Sequence, residues 1–146
     1  MENSVCFDDV LLVPQYSDIV SRKDISLTSV LDRRHRFRLP IISSPMDTVT
    51  GPNMASAMSR FGGLGIIHRY NTVTEQIEMV EKALKLDHPD GDEVIGVAVG
   101  VSGDYLERAS LAFKAGVKVI CVDIAHGHHA LMRHALTTLK NTLGNS

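Results

Sequence analysis

Four short clusters hold most of the side chains able to bind or react. They are Ser43-Ser44-Pro45-Met46-Asp47-Thr48, His68-Arg69-Tyr70-Asn71, Gly100-Val101-Ser102-Gly103-Asp104 and Asp123-Ile124-Ala125-His126-Gly127-His128-His129. Hydroxyls can donate and accept, carboxylates accept from ligand hydroxyls, and imidazoles hold protons or metals. His126, His128, His129 and His134 invite a metal reading, because zinc sites commonly pair histidines about three to five residues apart, and the gap from His129 to His134 roughly fits. Serines and aspartates at such places also cap helices, so each residue alone has a purely structural reading.

What gives the clusters meaning is where they fall. Short β-rich runs recur at Leu39-Pro40-Ile41-Ile42-Ser43, Gly65-Ile66-Ile67, Val94-Ile95-Gly96-Val97-Ala98-Val99 and Val117-Lys118-Val119-Ile120-Cys121-Val122, and a helical stretch follows each. The first helix follows Thr50-Gly51-Pro52 and stops at Gly62-Gly63. The second opens on Thr72-Val73-Thr74-Glu75, a capping-box pattern. The third starts near Asp104 and ends in Lys114-Ala115-Gly116. The fourth runs from about Ala130 to Leu143 and is closed by Gly144, with Leu131, Ala135, Leu136 and Leu139 expected on a sheet-facing side.

Apolar strands that do not alternate, each joined to the next by a helix, predict an α/β fold with a parallel sheet buried on both faces. All four polar clusters then stand at strand-to-helix turns, where parallel α/β folds bind ligands. The opposite turns carry mainly glycine, lysine and short connectors, and Asp87 to Glu93 reads as a solvated loop. Two architectures compete: a small open doubly wound sheet, which suits the length, and part of a (β/α)8 barrel, which needs about 250 residues when whole. The segment Phe7–Arg38 reads as a lead-in whose short strands cover one barrel end, with Arg33-Arg34-His35-Arg36 as a solvated turn.

The 146 residues are 44% hydrophobic with a formal net charge of −2, which allows one ordinary core. Fifteen basic residues against 17 acidic ones give no broad attraction for nucleic acid or anionic membrane, so an anionic ligand must be held locally. No run of about 18 apolar residues is present, and the opening Met1-Glu2-Asn3-Ser4 is unlike a secretory signal, which leads to an expectation of a cytoplasmic protein. Cys6 and Cys121 are too few and too far apart for a disulfide framework and are expected to be reduced packing residues.

At Ser43-Ser44-Pro45-Met46-Asp47-Thr48-Val49-Thr50 the chain closely resembles the first-strand loop of the IMP dehydrogenase and GMP reductase family. Phe7-Asp8-Asp9-Val10-Leu11-Leu12-Val13-Pro14 upstream, and Gly62-Gly63-Leu64-Gly65-Ile66-Ile67-His68, Gly96-Val97-Ala98-Val99-Gly100 and Asp123-Ile124-Ala125-His126-Gly127-His128 downstream, follow in family order over about residues 7 to 129. The resemblance implies the first four βα units of a (β/α)8 TIM-type barrel: residues 1–38 as lead-in, 39–146 as the units, and no inserted regulatory module between Ala83 and Val94. It also implies a purine-nucleotide oxidoreductase. The loop with His126 is closer to the dehydrogenase pattern, IMP to XMP with NAD, than to the reductase, which acts on GMP with NADP.

By carry-over, Ser44 and Met46 contact the purine nucleotide, and Met46 lies along its flat base. Asp123, with Ile124 and Ala125 beside it, orients the dinucleotide near the nicotinamide ribose. Val101 and Ser102 stand where the family often places groups for the adenosine end, and Val101 has no side-chain hydrogen bond to offer. The histidine run matches a family motif that holds no metal, so no metal site is expected.

The family's cysteine nucleophile, monovalent-cation loop, phosphate loops and Arg-Tyr flap belong to its second half, and none has a counterpart among these residues. No catalytic residue is therefore assigned, and the chain by itself is expected to be inactive. Unpaired outer edges on strands one and four would favour a complementing barrel half or self-association. Alternatives kept open are a reductase half and a non-catalytic nucleotide-binding or assembly protein.

Overall fold

Helix limits in the computed structural model, which describes residues 4–32, 34–86 and 94–144, fall where capping chemistry puts them. Helix α1 (Pro52–Arg60) carries proline in its first turn and ends before Gly62, whose φ of +83° favours glycine. Helix α2 (Val73–Lys85) starts in the capping box: the Thr72 hydroxyl accepts from the Glu75 N–H at 3.2 Å, and the Glu75 carboxylate accepts from the Thr72 N–H at 2.8 Å. That backbone donor holds the Glu75 carboxyl below its usual range. Helix α3 (Tyr105–Lys114) ends before Gly116, at φ +105°, and α4 (Ala130–Leu143) ends at Gly144. Among the described residues no helix is long and apolar enough to cross a membrane.

An antiparallel pair comes first, β1 (Ser29–Val30) with β2 (Arg36–Phe37). Then come β3 (Ile42–Ser43), β4 (Leu64–Ile67), β5 (Ile95–Val99) and β6 (Val119–Val122), which form one parallel sheet in the order β3-β4-β5-β6. Two strands are shorter than their apolar runs. Pro40 has no N–H to give a ladder, and the Ile41 N–H turns back to the Leu39 carbonyl at 2.9 Å, so β3 begins only at Ile42. The Val117 N–H is still bound to the Ala112 carbonyl at the end of α3, which delays β6 to Val119.

Alternation along the strands sorts the core into two faces. Ile67, Ile95 and Val97 pack with Ala55 of α1, Val80 and Ala83 of α2 and Ala112 of α3, while Val99 packs with Ala109 and with Leu139 of α4. All four helices therefore cover one face. On the other face Leu64, Ile66 and Ala98 meet Phe37, with Val119 and Cys121 half-buried beside them. A doubly wound sheet reverses its strand order and carries helices on both sides. This sheet does neither, and its sequential order with helices outside is consistent with part of a barrel.

Gly65 makes the closest approach between layers. A Cβ there would collide with the Ala55 backbone and lie 3.1 Å from the Ala55 Cβ.

The lead-in differs from the expectation. Among its described residues only the β1–β2 pair is strand, and it brings Phe37 to the amino-terminal end of the parallel sheet, next to the junction where the Leu39 N–H donates to the Gly62 carbonyl. Residues 4–28 are exposed, Leu12 at 96%, and hold two short 3-10 turns. Apolar content alone predicted cover, but no layer of the described chain lies over this segment. Cys6 is likewise exposed, not packed.

The Arg34 and Arg36 side chains are exposed, as a solvated turn requires, with Asp32 accepting from the Arg34 and His35 N–H groups; Arg33 and the 87–93 loop lie outside the described residues. On α4 the packed stripe is Ala135, Leu139 and Leu143, whereas Leu131 and Leu136 are exposed, because among the described residues no further element packs on the outer side of that helix.

Candidate ligand-binding site

The loop after β3 is tied down from below. Buried Thr50 donates its hydroxyl to the Ser44 carbonyl at 2.6 Å and accepts from the Ser43 hydroxyl at 3.0 Å, and the Val49 and Thr50 N–H groups both donate to the Met46 carbonyl at 3.0 Å. This tight turn leaves Ser44 on the surface and Met46 51% exposed. A methionine used only for core packing would be buried, so the exposed thioether is available to a flat apolar partner.

The loop after β4 is held by a buried polar clamp that was not singled out from the sequence. Gln76, fully buried on α2, donates its amide to the His68 carbonyl at 3.0 Å and to the Ala98 carbonyl at 2.9 Å. Arg108, buried on α3, donates Nη2 to the Asn71 carbonyl at 2.6 Å and Nη1 to Asn71 Oδ1 and Gln76 Oε1, each at 3.2 Å; its Nε pairs with Asp104 at 2.9 Å. A buried guanidinium is tolerated when its donors are satisfied in this way. The clamp ties α2 and α3 to loop 68–72 and to the end of β5. A glutamine on the apolar stripe Gln76, Val80, Ala83 was the available signal for it.

Arg69 leaves that loop and crosses toward the end of β6. Its Nε lies 3.6 Å from Asp123 Oδ2, with the two side chains 34% and 33% exposed, and its guanidinium sits 5.6 Å from the centre of the Tyr70 ring. Gly100, at the end of β5, lies beneath it: a Cβ there would come 3.6 Å from Arg69 Nη1.

Asp123 continues the β5–β6 ladder, donating its N–H to the Val99 carbonyl at 2.8 Å. It is not the cap of α4. That position belongs to His129, whose Nδ1 accepts from the Leu131 N–H at 3.1 Å. The Asp123 carboxylate is thus left to serve a ligand or Arg69. Ile124 is half-buried and Ala125 exposed. The His126 ring lies 6.5 Å from that of His128 and 6.4 Å from that of His129, and no group of three or more potential metal ligands converges among the described residues. The Cys121 thiol faces Ala98 and Val119; burial, and secondarily the Asp123 carboxylate, push its pKa up, which opposes thiolate formation.

Ser44 and Met46 therefore stand at one edge of the sheet and Asp123, Ile124 and Ala125 at the other, all at the carboxyl ends of the strands. Three inter-strand steps of about 4.8 Å separate them by roughly 14 Å. They do not touch. An open groove of about 490 Å³ lined by Pro52, His68, Tyr70, Asn71, Glu75 and Met79 among others lies along α2, and none of those five residues lines it.

Comparison with known proteins follows the same line. The model of the IMP dehydrogenase / GMP reductase domain matches residues 4–145. An inosine-5'-monophosphate dehydrogenase of Cryptosporidium parvum is 33% identical over 175 residues, covering 94% of this chain and 43% of that protein. One from Nitrosopumilus maritimus (strain SCM1) is 52% identical over 81 residues, covering 56% of this chain and 17% of that protein. One from Aquifex aeolicus (strain VF5) is 44% identical over 85 residues, covering 58% and 17%. The chain spans less than half the length of these curated relatives. With a matching domain model over nearly its whole length and a sheet wound in one direction, the chain belongs to the IMP dehydrogenase / GMP reductase domain family.

Proposed function

We propose that residues 39–146 are the first four βα units of a (β/α)8 barrel that oxidises IMP to XMP with NAD, that residues 1–38 are its lead-in, and that no regulatory module is inserted between α2 and β5. The observation that carries this reading is the sequential parallel sheet with every helix on one face, bearing its polar loops at the strand carboxyl ends. The exposed edges of β3 and β6 and the half-covered inner face invite the remaining four strands, from further residues of a longer chain, from another polypeptide or from a second copy. Dehydrogenase is favoured over reductase by His126 in the β6 loop and by the relatives above, which are named inosine-5'-monophosphate dehydrogenases.

In this reading Ser44 and the exposed Met46 thioether hold the purine nucleotide, with Thr50 fixing their turn. NAD fits the acceptor on the other edge: a carboxylate one-third exposed and free of helix capping suits the hydroxyls of a ribose. Asp123 would orient the dinucleotide, flanked by Ile124 and Ala125. Bound NAD supplies the hydride acceptor; these residues supply position, and the bond-making cysteine would come from the other four units.

The test is turnover after mixing the chain with a polypeptide comprising the remaining barrel units of a family dehydrogenase. NADH formation from IMP is expected, with no NADPH consumption on GMP. NADPH consumption with GMP instead would make it a reductase, and binding of IMP with no turnover in any such mixture would leave a non-catalytic nucleotide-binding protein.

A further inference from the structure

A near-neutral chain that binds a dinucleotide must hold the anionic part somewhere, and the loops name one place. Loops 44–51, 68–72, 100–104 and 123–129 contain a single lysine or arginine, Arg69. At the other end of the sheet, Arg60, Lys85, Lys114 and Lys118 stand at the helix-to-strand junctions, and Arg38, between β2 and β3, donates to the Arg60 carbonyl beside them. We propose that Arg69 is the anion-recognising residue of the ligand face and receives the diphosphate of a dinucleotide whose ribose hydroxyls reach Asp123. This inference rests on the dinucleotide reading given above.

Three observations carry it. Among the described residues, Arg69 Nε is the buried side-chain nitrogen or oxygen that lacks a hydrogen-bond partner. At 3.6 Å it is close to Asp123 Oδ2 and yet longer than the 2.7–2.9 Å or so of a charge-assisted hydrogen bond, so the pair is associated without being closed. A guanidinium carries five N–H donors in a planar fork, and the partly exposed remainder of this one can take phosphate oxygens while Asp123 accepts from the adjoining ribose. Unlike most arginines on a surface, it is also preorganised. The Gln76–Arg108 clamp fixes the loop that carries it, and the Tyr70 ring lies beside its planar head. Gly100 places no side chain over the position.

The experiment is a titration of the isotope-labelled 146-residue chain with NAD, inorganic pyrophosphate and nicotinamide riboside, followed through the amide and arginine Nε–H signals. NAD and pyrophosphate are expected to move the Arg69 Nε–H signal. Arg69→Ala should weaken NAD binding roughly 10- to 100-fold, the range for losing hydrogen bonds to a charged group, and leave nicotinamide riboside unchanged. Arg69→Lys should lose less, since it keeps the charge without the fork. Asp123→Asn should weaken both NAD and the riboside. Equal weakening of NAD and riboside by Arg69→Ala would make Arg69 a mere prop for Asp123 and overturn the proposal, as would no change in either. A wild-type chain that binds neither ligand overturns the dinucleotide reading itself, and the proposal with it.

Discussion

Arg108→Met is expected to destabilise the chain by about 3 kcal/mol and to speed amide exchange in loop 68–72 well beyond its effect elsewhere. The methionine keeps an apolar stem in the buried site but removes every donor, leaving Gln76 Oε1, Asn71 Oδ1 and the Asn71 carbonyl without the partners that now sit 2.6–3.2 Å away. Buried acceptors left unpaired cost about 1–3 kcal/mol each, and the losses share one network, so they will not simply add. The nearby carboxylate of Asp104 is half-exposed and can return to water, which limits the damage from its lost ion pair. Denaturant unfolding measures the first effect and hydrogen exchange the second. A loss under about 1 kcal/mol with unchanged loop protection would remove the clamp from this account.

Gly65→Val should cost at least as much, about 3 kcal/mol or more, through a different cause. No side chain fits at position 65 of β4, where a Cβ would strike the Ala55 backbone of α1. The helix must then lift off the sheet or the strand must shift, and overpacking of a close core costs about 1–3 kcal/mol even where neighbours yield. Here the neighbour is helix backbone, which yields little. Because Ala55 sits one turn beyond Gly51 and Thr50, the shift should also loosen the turn that carries Ser44 and Met46. Thermal unfolding with a spectrum of the 44–50 amides checks both; wild-type stability would contradict the close packing of α1 on β4.

Much of this arrangement can be read before any coordinates. Proline after Gly51, the Thr72–Glu75 box and the glycines after α1 and α3 locate helix ends because caps act within a few residues. The choice between open sheet and barrel is not local. It depends on which face each helix takes, and the apolar strands look alike from both sides, so family motifs decided it in the sequence and the one-sided helix layer supports it in the structure.

Strand lengths were overstated at Leu39–Ile41 and Val117–Lys118 because apolar content does not reveal that a turn or a helix end has already used the backbone donors. The exposed apolar lead-in and the exposed Leu131 and Leu136 share a cause: composition says that a side chain prefers cover, not whether the described chain supplies it. At the site, the positions of Ser44, Met46 and Asp123 were legible as loop residues. The roles of Arg69, Gln76 and Arg108 were not, since each depends on partners 22 to 54 residues away in sequence.

The central claim is that ligands meet one end of this sheet, with the nucleotide at the β3 edge and the dinucleotide at the β6 edge. Amide and methionine-methyl spectra of the labelled chain, recorded during separate titrations with IMP and NAD, test it most directly. The account predicts that IMP moves the signals of Ser44 and the Met46 methyl, and that NAD moves those of Asp123, Ile124 and Ala125. Shifts confined to the helix-to-strand junctions, or the same residues moving with both ligands, would contradict it.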